Sequence, residues 1–367
     1  MANIIDYLHW RGDITFDQVK LNEVDNLILS QLAFVDFTGI VPSDPSAPSV
    51  TIKQAAMQFF FENDVKKNTR PGLIISPQTY KMFRLMAESK RFAELKLSAF
   101  VNEIDLAEEK QFCALTIRLK EKMSYISIRG TDDTIVGWKE DFNLSFLDEI
   151  PSQKRVVEYV NSVCEAQPGN FYVGGHSKGG HLALYSLVKC APEHKNRIVA
   201  GFSNDGPGFS KAFTELPEYK AAESKFHIYM PQNSVVGMFF ENRDKRRVVK
   251  SNQIGVFQHD GMSWEVMGSS FVRVKKLGKD AINTVLLNER IHAMSPEVRK
   301  HFVDVLFGML ESTGVKTLSE LNAKGLGSMI AMIKTFNDLD KKERELMLLL
   351  TAELLDLRTS EAPIEVS

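Results

Sequence analysis

The stretch YVGGHSKGGHLALY (172–185) places one serine among four glycines, after apolar residues that predict a strand and before residues that predict a helix. Within it, residues 175–179 fit the pattern Gly-x-Ser-x-Gly. Gly175 and Gly179 allow a tight strand-to-helix turn without side chains colliding with neighbouring segments. The pattern predicts that Ser177 projects from the carboxyl end of the strand as a nucleophile. It also directs the backbone N–H of Lys178 toward a developing oxyanion.

Glycine-rich turns between a strand and a helix also bind phosphate, so a phosphate-binding turn is an alternative to a turn that carries a nucleophile. No Gly-Lys-Ser/Thr follows the turn, which disfavours a P-loop. The four glycines, at 174, 175, 179 and 180, do not form Gly-x-Gly-x-x-Gly, which disfavours a dinucleotide site. An incidental turn is the other alternative, and the flanking strand and helix argue against it.

The surrounding pattern divides the chain into three parts. Residues 1–110 predict a mainly helical lead-in, with Asn22 capping one helix, Ser76-Pro77 starting another, and helix continuing to about residue 100. Residues 111–275 alternate strands and helices, which predicts an α/β fold with a mostly parallel sheet. The predicted strands are FCALTIRL (112–119), SYISIRG (124–130), NFYVGG (170–175), RIVAGFSND (197–205), KFHIYMPQ (225–232) and RRVVKSN (246–252). Residues 276–367 are predicted to be helical and to pack on this core.

Composition excludes several classes of protein. The 367 residues carry a formal net charge of −2, so nucleic acid is not an expected partner, and the basic run at 243–247 is interpreted as solvated surface. No apolar run predicts a membrane span, and the start of the sequence does not resemble a secretory signal. The three cysteines lack metal-ligand spacing and predict reduced core thiols. We expect a cytoplasmic protein with no cofactor and no metal, and the sequence leaves its oligomeric state open.

A serine nucleophile needs a histidine base, and in hydrolases with this turn the chain order is serine, acid, histidine. His259 lies in a loop after the last predicted strand, where a base is expected. The other downstream histidines are interpreted as structural or as part of the helical region: His181, His194, His227, His292 and His301. His181 follows Ser177 by one helical turn and is expected to point away from it.

The acid that orients such a histidine is expected at the end of a strand. Asp205 closes RIVAGFSND and fits this position, although an aspartate before a glycine also caps loops. Asp244 lies in the charged run and ranks lower. Asp260 adjoins His259 and is poorly placed to reach its ring.

These residues resemble the class 3 lipases, an α/β-hydrolase group, and especially their poorly characterised bacterial relatives. The resemblance rests on GGHSKGG, similar to the lipase pattern G-H-S-L-G-G, on IRGTDDTIVGWKEDF (128–142) and on QHDGMSW around the histidine, and it covers about 112–275. It implies that Thr131, by its hydroxyl and backbone N–H, forms the oxyanion hole with the N–H of Lys178. It also places Trp138 near a lid.

One departure from that pattern concerns the acid. Class 3 lipases usually carry it after the strand that corresponds to KFHIYM, in a pattern like Asp-x-Val-Pro, where this chain has Ser234 in SVVG. Three alternatives follow: Asp205 supplies the acid, a Ser–His dyad is oriented by Ser234 or water, or the site is inactive.

The sequence therefore predicts a serine hydrolase acting on a carboxylic ester through Ser177, His259 and Asp205. Thioester and peptide substrates stay open, and the alternative from another class is a non-catalytic binding protein on a hydrolase scaffold. Candidates for the substrate pocket are Trp138, His176 and Ser234. The stretch SVVGMFFE (234–241) and the C-terminal helices are candidates for its apolar wall.

Overall fold

A computed structural model of the chain describes residues 1–63, 75–240 and 246–355. Within these ranges one sheet of eight strands has the same order in space as in sequence. Its strands are β1 (Val50–Thr51), β2 (Lys96–Asp105), β3 (Lys110–Lys120), β4 (Met123–Ile128), β5 (Asn170–His176), β6 (Ile198–Asn204), β7 (Phe226–Pro231) and β8 (Arg246–Val249). A separate hairpin pairs β9 (Val266–Met267) with β10 (Ser270–Phe271).

The sheet changes character at β4. Strands β1 to β4 pair antiparallel, whereas β4 to β8 pair in parallel. The carboxyl ends of the parallel strands therefore meet at one edge, where ligands bind in open α/β sheets. This arrangement confirms the predicted mostly parallel α/β-hydrolase-like fold.

Helices cover both faces of the sheet. Those before the elbow, the strand-to-helix turn centred on Ser177, are α1 (Ile4–Arg11), α2 (Glu23–Leu32), α3 (Ile52–Glu62), α4 (Thr79–Glu88), α5 (Ile135–Asn143) and α6 (Pro151–Ala166). Those after it are α7 (Lys178–Lys189), α8 (Pro192–Lys195), α9 (Lys211–Thr214), α10 (Pro217–Ala222), α11 (Lys279–Ala293), α12 (Pro296–Glu311), α13 (Leu318–Lys324), α14 (Leu326–Asp338) and α15 (Lys341–Leu355).

Alternate residues of the central strands face two separate cores. Tyr125 of β4 packs into the core that includes Leu27 and Phe83 of the N-terminal helices. Its neighbour Ile126 packs into the core that includes Val160 of α6 and Leu184 of α7. This alternation follows from the two-residue period of a strand. The N-terminal helices therefore form one covering layer of the sheet.

The N-terminal region differs from the sequence prediction at its end. The helix predicted after Ser76-Pro77 begins at Thr79 and ends at Glu88, and residues 96–105 form β2 instead of helix. The pairing of β2 with β3 shifts between Ser98 and Val101, and Ala99 between them has φ +53°. This bulge interrupts the apolar alternation by which a strand is recognised. The sheet thus begins within the segment that was predicted to be mainly helical.

The C-terminal helical region contacts the core at α5. Ile135 of α5 packs with Val303 and Phe307 of α12, and its N–H donates to the carbonyl O of Lys316 (2.9 Å). None of the helices in the described ranges has both the length and the hydropathy of a segment that crosses a membrane.

Candidate active site

The segment around Ser177 is a strained strand-to-helix turn. Ser177 stands between the last residue of β5 and the first residue of α7, with φ +57° and ψ −134°. Such backbone angles are rare for a residue with a side chain and concentrate at functional sites. The Ser177 N–H donates to the carbonyl O of Asn204 (3.0 Å), which fixes the turn against β6. Ser177 is partly exposed, whereas His176 and Lys178 on either side are buried.

The glycines on either side of Ser177 are required by close backbone contacts. A Cβ on Gly179 would lie 2.1 Å from the carbonyl O of Ile128. A Cβ on Gly175 would lie 2.3 Å from the carbonyl C of Gly179 and 2.4 Å from the same O of Ile128. The first turn of α7 therefore packs directly on the end of β4, where no methyl group fits.

Asp205 and His259 are joined by a short hydrogen bond. His259 Nδ1 lies 2.6 Å from Asp205 Oδ2, with the carboxylate side chain fully buried and 29% of the imidazole exposed. An ionised carboxylate only accepts, so Nδ1 carries the proton and Nε2 has a free lone pair. This is the tautomer that a general base acting on a serine requires.

The second oxygen of Asp205 is bound by Ser234. The Ser234 hydroxyl donates to Asp205 Oδ1 (2.5 Å) and accepts the N–H of Gly237 (2.9 Å). Asp205 itself has φ +53°, directly after β6, and its N–H donates to the carbonyl O of Tyr229 (2.7 Å) in β7. The carboxylate is thus held by the ends of two neighbouring strands.

His259 ends a short 3₁₀ turn, Gly255–His259, above the same edge of the sheet. Trp264 Nε1 donates to the carbonyl O of Gln258 (3.0 Å), and His176 Nε2 donates to the carbonyl O of His259 (2.7 Å). In the described part of the chain, Ser177 Oγ makes no hydrogen bond with His259. Such bonds are often long in unliganded enzymes and shorten when substrate binds.

The turn after β4 approaches the nucleophile. A Cβ on Gly130 would lie 3.0 Å from the Cβ of Ser177, so the backbone of this turn lies beside the serine. The N–H groups of Thr131 and Lys178 have no acceptor within the described ranges. Both are available as donors close to Ser177.

The Thr131 hydroxyl differs from its expected role. It donates to Asp141 Oδ2, so its one proton is committed while Asp141 is ionised, and only the N–H of Thr131 can serve an oxyanion. Asp141 Oδ1 is buried and finds no hydrogen-bond partner among the described residues, although 26% of the side chain as a whole is exposed. Burial raises the pKa of Asp141 to about 6, against the opposing effects of Lys178 and the Thr131 hydrogen bond.

Lys178 directs its side chain away from the nucleophile. Its ammonium group is 1% exposed, 2.7 Å from Glu140 Oε2 and 3.1 Å from the carbonyl O of Gln111. Glu140 also accepts hydrogen bonds from the N–H and the hydroxyl of Ser152. Glu140 and Asp141 were not among the residues predicted from sequence to belong to the site. The sequence feature that could have indicated them is Lys178 beside Gly179. A lysine that becomes buried at this position needs a buried acidic partner.

The candidates for the substrate pocket are placed differently from the prediction. His176 and Ser234 are 6% and 1% exposed, and they bind the His259 main chain and Asp205 instead of lining a pocket. Trp138 packs with Ile135 and α12, and its buried Nε1 has no hydrogen-bond partner in the part of the chain that the structure describes. A cavity of about 560 Å³ lies beyond Arg129 and Asp132, and neither Ser177 nor His259 lines it.

Apolar surface lies next to His259. Ile254, Val256 and Phe257 are exposed by 79%, 62% and 68% respectively. Val256 and Phe257 lie in the 3₁₀ turn that ends at His259, and Ile254 directly precedes that turn, so this apolar surface adjoins the site.

The remaining candidates have structural partners. His181 Nδ1 donates to the carbonyl O of Gly208 (2.9 Å), its Nε2 accepts from Gln153, and burial lowers its pKa to about 4. His227 accepts from Arg247. Asp260 Oδ1 accepts the N–H of Met262 (2.9 Å). Asp244 lies outside the described residues.

Cys113, Cys164 and Cys190 are buried and outside any disulfide. Among residues 1–63, 75–240 and 246–355, no cluster of three or more His, Cys, Asp or Glu side chains has metal-binding geometry.

Comparison with known proteins gives a family. No curated protein matches the chain. A crystal structure of M37 lipase aligns with 13% sequence identity over 77% of this chain and 98% of that chain, at a TM-score of 0.36, which is too low to bear on function. The Mbeg1-like family model matches residues 86–308, which include β2 to β8 and every residue discussed around Ser177. The chain belongs to the Mbeg1-like family, a lipase-like family.

Proposed function

We propose that the protein is a serine hydrolase that cleaves carboxylic esters through Ser177, His259 and Asp205. The observation that carries the proposal is the 2.6 Å contact between His259 Nδ1 and Asp205 Oδ2, at the sheet edge where the elbow holds Ser177. A histidine in this tautomer beside a strained, partly exposed serine has the donor and acceptor order of a catalytic triad.

In the proposed reaction, Ser177 Oγ attacks the ester carbonyl and its proton passes to His259 Nε2. Asp205 stabilises the imidazolium that forms. The N–H groups of Thr131 and Lys178 stabilise the tetrahedral oxyanion. The imidazolium then protonates the leaving alcohol and becomes neutral again. The same histidine takes a proton from water, which attacks the acyl-serine carbonyl, and it returns that proton to Ser177 Oγ as the acid leaves.

An ester with an apolar acyl or alkyl part is the proposed substrate. Exposed Ile254, Val256 and Phe257 beside His259 support it, because contiguous exposed apolar residues mark binding surfaces. The lipase-like family agrees with a hydrolase of this kind.

The test is labelling of the purified protein with a fluorophosphonate probe, together with turnover of nitrophenyl esters from acetate to decanoate. Wild type is expected to label and to turn over, with higher kcat/KM for longer acyl chains. Ser177→Ala is expected to do neither. Ser49→Ala, at an exposed serine outside the site, is the matched control and should behave as wild type.

The rival proposal is a non-catalytic binding protein on the same scaffold. The missing hydrogen bond between Ser177 Oγ and His259 favours it. A folded wild type that neither labels nor turns over any ester or thioester in the series would support this rival and reject the hydrolase.

A further inference from the structure

His176, directly before the nucleophile, touches His259 in two ways. Its Nε2 lies 2.7 Å from the carbonyl O of His259, and the two imidazole rings are 4.5 Å apart between centroids at an interplanar angle of 40°. His176 is 6% exposed, and Phe34 packs edge-on against its ring, with 6.2 Å between the ring centroids. The elbow and the histidine loop are therefore joined through one buried side chain.

The proton positions on His176 follow from its partner. A carbonyl oxygen only accepts, so Nε2 of His176 carries a proton and donates it. Burial, and secondarily the charge on His259, lower the pKa of His176 to about 3. His176 is thus neutral at neutral pH, and it adds no second positive charge beside the imidazolium that His259 becomes in the proposed reaction.

The loop that carries His259 is exposed at 254, 256 and 257, and it becomes buried at Gln258, directly before the histidine. Gln258 accepts hydrogen bonds from the N–H of Asn233 and from Trp264, which hold the main chain before His259 and leave its ring unheld. Asp205 fixes one ring nitrogen of His259 but leaves the ring free to swing about that bond. A second contact on the main chain and one on the ring face would remove this freedom.

We propose that His176 is a positioning residue, which holds the main chain and ring of His259 so that Nε2 faces Ser177. The proposal rests on the proposed hydrolase function for its catalytic consequence. It also predicts a structural effect on the Asp205–His259 hydrogen bond, which can be measured without turnover.

Three variants separate the two contacts. His176→Gln keeps an N–H donor without the ring, His176→Phe keeps a ring without the donor, and His176→Leu removes both. We expect His176→Leu to lower kcat roughly 100-fold, as a misplaced catalytic group does, with KM changed less than about threefold. His176→Gln and His176→Phe should each have a kcat roughly tenfold higher than that of His176→Leu. If His176→Leu does not fold, comparison of these two variants with wild type still tests the proposal.

A second background tests whether His176 acts through His259. In His259→Ala, His176→Leu should leave the residual rate unchanged, because the group that it positions is gone. An equal loss in both backgrounds would overturn the proposal, and so would an unchanged kcat in all three His176 variants.

Proton NMR separates failure of this inference from failure of the proposed function. The Nδ1 proton of His259 should give a low-field resonance that is absent in His259→Ala, present in His176→Gln and broadened or lost in His176→Leu. This pattern without any turnover supports positioning and rejects the hydrolase. Turnover with a resonance that His176→Leu leaves unchanged supports the hydrolase and rejects positioning.

Discussion

Asp205 Oδ2 lies 2.6 Å from His259 Nδ1, although 54 residues separate the two in sequence. The contact forms because Asp205 directly follows β6 and the loop after β8 returns over the same sheet edge. The strand next to β6, β7, is followed by Ser234, which donates to the other oxygen of the same carboxylate. In the resembled lipases the acid follows the strand equivalent to β7. Here a serine at that place supports an aspartate on the neighbouring strand.

Asp205→Asn is expected to lower kcat roughly 10⁴-fold while leaving the fold intact, by analogy with the same change in serine proteases. The asparagine amide would donate to His259 Nδ1, which moves the ring proton to Nε2 and removes the lone pair that takes the proton of Ser177 in the proposed reaction. The measurement is ester turnover with thermal unfolding of the same sample. Asp260→Asn is the matched control, since this side chain caps the N–H of Met262, and it should stay within a few-fold of wild type. Equal turnover by both variants would remove Asp205 from the mechanism.

Ser234→Ala is expected to lower kcat roughly tenfold, because Asp205 loses a charge-assisted hydrogen bond worth about 1.5–3 kcal/mol. The carboxylate keeps its bond to His259 but is free to rotate. The comparison is Ser186→Ala, another fully buried serine, whose hydroxyl bonds only within its own helix. If the two variants lose stability alike and neither loses kcat, Ser234 is merely structural.

The elbow was predictable from sequence because its requirements are local. Two glycines, one serine and the flanking strand and helix lie within fourteen residues, and chain order then limits the position of the acid to the end of a later strand. The partners of His176 and Ser234 were not predictable, since each faces a loop or strand that reaches it only in the folded sheet. The ion pair between Lys178 and Glu140 spans 38 residues and has no local pattern. The strand Lys96–Asp105 was missed because a bulge at Ala99 breaks its two-residue alternation.

Lys178→Met tests whether the side chain of this residue contributes to stability and its backbone N–H to the proposed reaction. It leaves the buried Glu140 carboxylate without its cation, which is expected to lower the free energy of unfolding by about 3–5 kcal/mol. Adding Glu140→Gln should recover part of that loss. Denaturant unfolding measures both variants.

Turnover of the same two variants tests the backbone. Because the proposed oxyanion donor is the N–H of residue 178, kcat per folded molecule should stay within about threefold of wild type. A large fall in kcat in a well-folded double variant would give the ammonium group itself a part in the reaction.

Asp141 makes stability depend on pH between about 4 and 6. Its pKa is raised from 3.8 to about 6, so the folded state favours the protonated form. The contribution of this protonation to the free energy of unfolding is complete below pH 3.8. This contribution is lost as pH rises through 6. Residue 141 does not titrate in Asp141→Asn. The free energy of unfolding of this variant minus that of wild type should therefore rise by on the order of 2 kcal/mol from pH 4 to pH 7. Urea unfolding at four or five pH values measures the difference, and a constant difference would mean that Asp141 titrates normally.

Gly179→Ala is expected to prevent folding or to cost well over 3 kcal/mol, because its Cβ would lie 2.1 Å from the carbonyl O of Ile128 and 2.8 Å from the carbonyl C of Arg129. Both atoms belong to backbone at the end of β4, so relief would have to move the turn that carries Thr131. Gly308→Ala is the matched control, since Gly308 lies within α12 with no atom within 4 Å of the added methyl group. There the change should stabilise the helix by about 0.5–1 kcal/mol. Expression and thermal unfolding compare the two. A Gly179→Ala protein as stable as wild type would mean that the elbow and β4 are farther apart than described, and it would leave the oxyanion donors without a fixed position beside Ser177.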